Sequence, residues 1–217
     1  VAAAGRPVAL QLAVERPSGT FGTIQLGETG GGGDVLSAPV PQADRGGRVV
    51  ALQIGLTPSD AQALAHAGIE GGLIIVAKGT LNLGALRAGG APVTAFGGWI
   101  AGGTAKRSGA GAVEYALDGR TDGLVRPAQP FDTAPLPVLA SRDVADAAGP
   151  DGRLHLALPD GHSIVARVIA TGARFPTAPE SFVVADEQAL SVGVNANAPG
   201  TGVPREVWIG APPASEH

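Results

Sequence analysis

Glycine and proline interrupt this chain too often for long helices to form. They account for 34 and 18 of its 217 residues; one raises the entropy cost of a fixed backbone and the other removes an amide donor. Between the interruptions stand short apolar runs, many of them alternating, with a turn signal at roughly every 8–12 residues. Such runs build strands. Hydrophobic residues make up 44% of the chain, enough to bury area that offsets chain entropy, so the turn-rich composition signals β structure and not disorder. Aromatic residues are only 4%, which leaves the core to Val, Leu, Ile and Ala. The expected fold is mainly β with a small α+β part.

Residues 1–127 carry the strand pattern. Val8, Leu10, Leu12 and Val14 alternate onto one face of a half-buried strand. Pro17-Ser18-Gly19 turns the chain, and Thr20–Leu26 returns with Phe21, Thr23 and Gln25 facing away from Ile24 and Leu26. A long loop from Gly27 to Gly47 follows, with a short strand expected at Val35-Leu36. Arg48–Leu56 is a third strand. Thr57-Pro58-Ser59-Asp60 has the form of a helix start, with Pro at the first helical position, and predicts a short helix over Ala61–Ala67. Leu73–Leu83 is an apolar strand bent at Gly79. Ala91–Trp99 is an irregular link with Trp99 anchoring a small core, and Ala112–Leu117 is a further strand closed by an Asp118-Gly119 turn. Val1–Gly5 is expected to fray or to act as a membrane-proximal linker. So many strands with almost no helix predict a β-sandwich of jelly-roll or lectin-like type.

From Leu124 the chain descends into the Pro-rich stretch Pro127–Pro137, which places a connector at residues 128–134 and a domain boundary beside it. Residues 135–212 then alternate strands with short helices. Leu136–Ala140 is a buried strand, and Ser141 caps a helix that Gly149-Pro150 stops. Arg153–Leu158 sets Leu154, Leu156 and Leu158 on one face and His155 on the other. Pro159-Asp160-Gly161 turns into Ser163–Thr171, which returns beside that strand. Phe182–Ala185 is another strand, and Asp186 caps a helix running from Glu187 to about Asn195. Glu206–Ile209 closes the pattern and carries Trp208. The result is a small, mostly antiparallel α+β module.

Four segments of this second part, "PLPVLASRDVADAAG", "ARVIATGARFPT", "SFVVADEQAL" and "NANAPGTGVPREVWI", occur in order between Pro135 and Ile209. Together they resemble the extracytoplasmic domain of FtsX-like (MacB-type) ABC-transporter permeases, of the actinobacterial kind. The likeness continues more weakly back to about Arg48 through "GTLNLGALRAGGAPVTAFGGW". The matched segments are apolar structural patterns, so they imply a family without supplying a reaction. The resemblance implies a non-catalytic domain, the extracytoplasmic part of a cell-membrane protein. It would be joined to transmembrane helices of the same parent chain and driven at a distance by a cytoplasmic ATPase subunit. It would pass that motion to an extracytoplasmic substrate or protein.

The residues themselves offer little to chemistry. Net charge is −4 and no basic run exceeds Lys106-Arg107, so nucleic acid has no electrostatic footing. With no Cys there are no disulfides, thiol nucleophiles or Cys-based zinc sites. Gly30–Gly33 is followed by Asp34, where a phosphate loop needs Lys and Ser or Thr opening a helix. Asp160, His162 and Ser163 crowd one turn and cannot adopt triad geometry, and no nucleophile elbow is present. His66, His155, His162 and His217 lack ligand spacing, and Asp132, Asp143 and Asp146 read as caps and surface charges. No cofactor or metal is therefore expected. The chain begins Val-Ala-Ala-Ala and contains no Met, which points to processing or excision from a longer protein.

The remaining candidates are aromatic. Trp99, Tyr115 and Trp208 could form a sugar-stacking platform on a lectin-like sandwich, although scarce aromatics more often fill cores. Trp99 and Trp208 are thus the candidate interaction surface. A secreted or surface carbohydrate- or ligand-binding module is the alternative function.

Overall fold

The computed structural model describes residues 1–30, 32–67, 76–157, 163–175 and 181–202. Strands make up 47% of it and helices 18%, so the fold is mainly β with a small α+β part. The first unit runs β1 (Ala2–Gly5), β2 (Ala9–Glu15), β3 (Phe21–Glu28), β4 (Arg48–Gly55), α1 (Pro58–Ala67), β5 (Ala77–Asn82), β6 (Ala85–Ala88), β7 (Ala91–Ala95), β8 (Ile100–Gly103), β9 (Ala105–Arg107), β10 (Ala112–Leu117) and β11 (Gly123–Arg126). Two antiparallel sheets, ordered β1-β5-β10-β9 and β3-β2-β4-β11-β8, enclose one core, and β6-β7 forms a separate hairpin. Leu10, Leu12 and Val14 of β2 with Leu52 and Ile54 of β4 face Leu81 of β5 and Val113, Tyr115 and Leu117 of β10. The pattern is period two, as a sheet buried on one face requires. Phe21, Thr23 and Gln25 do point away from Ile24, and Gln25, Gln11 and Gln53 form an amide ladder across β3, β2 and β4 on the outer face.

Several expectations change. Val1–Gly5 is not frayed: it holds β1, paired with β5, and Val1 and Asp34 exchange hydrogen bonds. Its neighbours explain this. Gly5 lies opposite Gly79, and Tyr115 lies opposite Gly79 on the other side. The Tyr115 ring lies over the glycine, and its hydroxyl donates to the Arg6 carbonyl. Burial raises the pKa of that hydroxyl, which keeps the donor protonated. Tyr115→Phe is expected to lower stability by about 1 kcal/mol, the net worth of one hydrogen bond, as read from urea denaturation; an unchanged midpoint would show that the ring alone holds β1.

Gly79 therefore marks a close approach of strands where a bend was expected. Val35-Leu36 forms no strand, and Val35 is 96% exposed. Ala91–Trp99 is not an irregular link, since its first half pairs with β6 around a Gly89-Gly90 turn in which both residues have positive φ. Leu124–Pro127 does not simply leave the domain: β11 is an interior strand, between β4 and β8. The first helix does begin with Pro58 at its first position, where Thr57 accepts from the Asp60 amide, and it runs to Ala67.

The second unit contains β12 (Leu136–Ser141), α2 (Arg142–Asp146), β13 (Arg153–Ala157), β14 (Ser163–Gly172), β15 (Val183–Ala185) and α3 (Glu187–Asn197), with sheet order β13-β14-β12-β15. Two of its three pairings are antiparallel and β12–β14 is parallel. Leu136, Val138, Ile164 and Ala166 form its core under Leu190 and Val194 of α3. Asp186 caps α3 by accepting from the Ala189 amide, as its place in the sequence implies, and the helix continues to Asn197. Ser141 does not cap α2. Its hydroxyl accepts from the Phe182 amide and ties β12 to the chain entering β15. The expected turn at Pro159-Asp160-Gly161 and the closing strand Glu206–Ile209 lie outside the described residues.

Candidate functional site

Two of the three aromatic candidates pack in the sandwich. Tyr115 is 3% exposed and belongs to the sandwich core. Trp99 is half-buried against that core, with its ring edge-on to Phe96 at a centroid distance of 4.9 Å. Trp208 lies outside the described residues. Trp99 thus anchors the chain between β7 and β8, a packing role in line with its residue type.

Of the polar candidates, His162 and His217 lie outside the described residues. His155 is exposed on β13, opposite the half-buried Leu154 and Leu156. His66 sits on α1 with Nδ1 2.7 Å from the Gln62 carbonyl. Asp143 is hydrogen-bonded by the hydroxyls of Ser141 and Ser181, which hold its carboxyl below the ordinary range. A carboxylate held down in this way is a poor proton acceptor. Among the described residues there is no cluster of three metal-ligating side chains, and no helix is long and apolar enough to cross a membrane.

Two features stand out instead. The first is the contact between the two units, built on the outer face of the larger sheet. There Ala13, Ala51 and Leu124 are buried behind Val50. Arg126, at the end of β11, is 5% exposed. Its guanidinium grips Asp132 with two bonds of 2.6 and 2.7 Å, donates to the Pro127 carbonyl, and reaches Asn197 of α3 at 3.3 Å. Asp132 also accepts from the Gln129 amide at 2.6 Å. Burial pushes the Asp132 carboxyl up, but the bonds from Arg126 and Gln129 and the guanidinium charge overcome it and leave the pKa lowered. The short helical turn Pro130–Asp132 is thereby fastened to the sandwich. A cleft of about 240 Å³ remains beside Arg126, between Phe21 and Val50 on one wall and Val192 and Ala196 of α3 on the other.

The second feature is a groove of about 550 Å³ at one end of the sandwich. Its floor is the core itself: Leu12, Val14 and Ile24, none more than 7% exposed. Leu26 and Val49 extend it, while the hairpin β6-β7 and residues 35–47 form the walls. Asp44, the acidic lining residue, is 4% exposed and is held by Arg16 at 2.6 Å. Two exposed arginines, Arg45 and Arg87, stand at the rim. The sequence held a signal for this groove in the unpaired apolar residues Val35, Leu36, Ala38 and Val40.

No family model, curated protein or solved structure matches this chain.

Proposed function

We infer that this chain is the extracytoplasmic region of an FtsX-like ABC-transporter permease, where it carries ATP-driven motion to a substrate or partner outside the membrane and catalyses nothing itself. One observation carries the reading. The four segments that resemble the family begin on or span β12 with α2, β14, β15 and α3, in that order. The contact at Arg126 fits the same role, because a domain that transmits displacement must not yield at its own joint. ATP chemistry would belong to another subunit.

The groove favours a second reading, a secreted or surface-anchored ligand-binding module, because enclosed apolar volume with few polar groups is what small-molecule sites present. The two differ in what flanks this region. The permease reading expects apolar spans of about 20 residues in the full-length gene product. This region holds no Cys, so Ser18→Cys, in a turn between β2 and β3, offers one labelling site. With other cysteines of the full-length protein replaced, intact cells should be labelled by a membrane-impermeant maleimide, and the label should stay with the membrane fraction. Labelling only after lysis would overturn both readings; label released to the medium would favour the binding module.

A further inference from the structure

We propose that the groove at the end of the sandwich binds a long-chain fatty acid, its alkyl chain on Leu12, Val14, Ile24 and Leu26 and its carboxylate between Arg45 and Arg87. The site stands whether or not the chain belongs to a permease.

Three observations converge on it. The volume, about 550 Å³, is in the range of small-molecule sites. Seven large hydrophobic side chains are exposed among the described residues, and three of them, Val35, Val40 and Val93, line this one groove. Exposed apolar side chains gathered beside a concave apolar floor mark a binding surface. The third observation is charge. Asp44 is already paired with Arg16, so it does not neutralise the rim. Among the described residues no carboxylate pairs with Arg45 or Arg87. Arg87 donates to the Gly90 carbonyl at 3.1 Å, which holds it beside the hairpin turn.

The occupant follows from where charge stands and where it does not. The floor is apolar and the positive groups are exposed at its edge, so the ligand must be apolar along its length and anionic at one end. A bound peptide would lay an amide on that floor at every residue, and each would lose water without gaining a partner. A single-chain carboxylate leaves its polar group at the rim, where guanidinium forks match it.

Titrating the full chain with cis-parinaric acid, a fluorescent eighteen-carbon fatty acid, tests this. Saturable binding is expected. Arg45→Ala combined with Arg87→Ala should raise Kd by about tenfold or more, since both charge-assisted contacts to the carboxylate are lost. The methyl ester of the probe should bind the unaltered protein no better than the acid binds that variant. Leu26→Trp should fill the groove and remove binding. Because that change touches packing, Val35→Asp supplies a second arm: Val35 is 96% exposed, so a carboxylate there should weaken binding severalfold while the thermal midpoint stays put. Absent saturable binding, equal affinity for acid and ester, or indifference to both the arginine pair and Val35→Asp would each overturn the proposal. So would sedimentation with dioleoyl phosphatidylglycerol vesicles by a protein that ignores the free acid, since the arginines would then face a membrane surface.

Discussion

Gly79→Ala is expected to destabilise the sandwich by about 3 kcal/mol or more, the upper end of what overpacking costs. The glycine lies on β5 between Gly5 of β1 and Tyr115 of β10. A Cβ there would stand 2.3 Å from the Ala4 carbonyl oxygen and 2.4 Å from the Tyr115 hydroxyl oxygen. The first of these is backbone and cannot swing aside. Both contacts must give: β1 moves off β5, and the Tyr115 hydroxyl, no longer held by the Arg6 carbonyl, tilts aside. β1 should therefore detach, and its amides should exchange with solvent far faster than those of β2. Gly84→Ala is the control, because nothing lies within 4 Å of its added carbon. Urea denaturation of both variants decides the matter. If Gly79→Ala matches Gly84→Ala within about 0.5 kcal/mol, the scale of ordinary surface changes, this account of the β1 contact is wrong.

Arg126→Ala should cost about as much, roughly 3–5 kcal/mol, because it strands a partly buried carboxylate. The pair also carries a pH signature. The folded pKa of Asp132 lies below its unfolded value of about 3.9, with the Arg126 bonds among the causes. Its stabilising contribution is thus complete above the unfolded value and is lost as pH falls through the folded one. Asp132→Asn should flatten that acid limb of the stability profile. Replacing both residues, Arg126→Met with Asp132→Leu, should restore much of what Arg126→Ala loses, since an apolar pair leaves no charge behind. A double variant as unstable as the single one would mean that the contacts to Asn197 and Pro127 matter more than the ion pair.

Much of the framework was legible in the sequence where one face alone is buried. Strict alternation marks Ala112–Leu117, whose Val113, Tyr115 and Leu117 are buried while Glu114 and Ala116 are exposed, and Val8–Val14, whose large apolar side chains all face the core. Capping chemistry is local, so Asp186 and Thr57 could be read without knowing the fold. The strands β8 and β9 could not. Ile100–Gly103 and Ala105–Arg107 are four and three residues long, and their state is set by β11 and β10 across the sheets. The frayed reading of Val1–Gly5 failed for the same reason: nothing in Ala-Ala-Ala-Gly announces a strand, and its cause lies at Gly79 and Tyr115. Ser141 has the residue type of a cap but was taken by a closer donor, the Phe182 amide. The groove was legible only in part, through the apolar residues Val35, Leu36, Ala38 and Val40, because its floor and far wall come from segments distant in sequence.

The interior place of β11 in the larger sheet has a bearing on how the chain comes off the ribosome. β11 is the last strand of the sandwich to be synthesised, yet it separates β4 from β8. Until Gly123–Arg126 emerges, β8 has no ladder partner among the described strands and β4 shows an open edge. An unpaired edge on a hydrophobic sheet is a template for pairing with other chains. At ordinary synthesis rates of about 5–20 residues per second, that exposure lasts seconds for β4. It ends as Arg126 arrives, six positions ahead of the carboxylate that will hold it. Closing the sheet and fastening the second unit are thus consecutive events at one point in the chain.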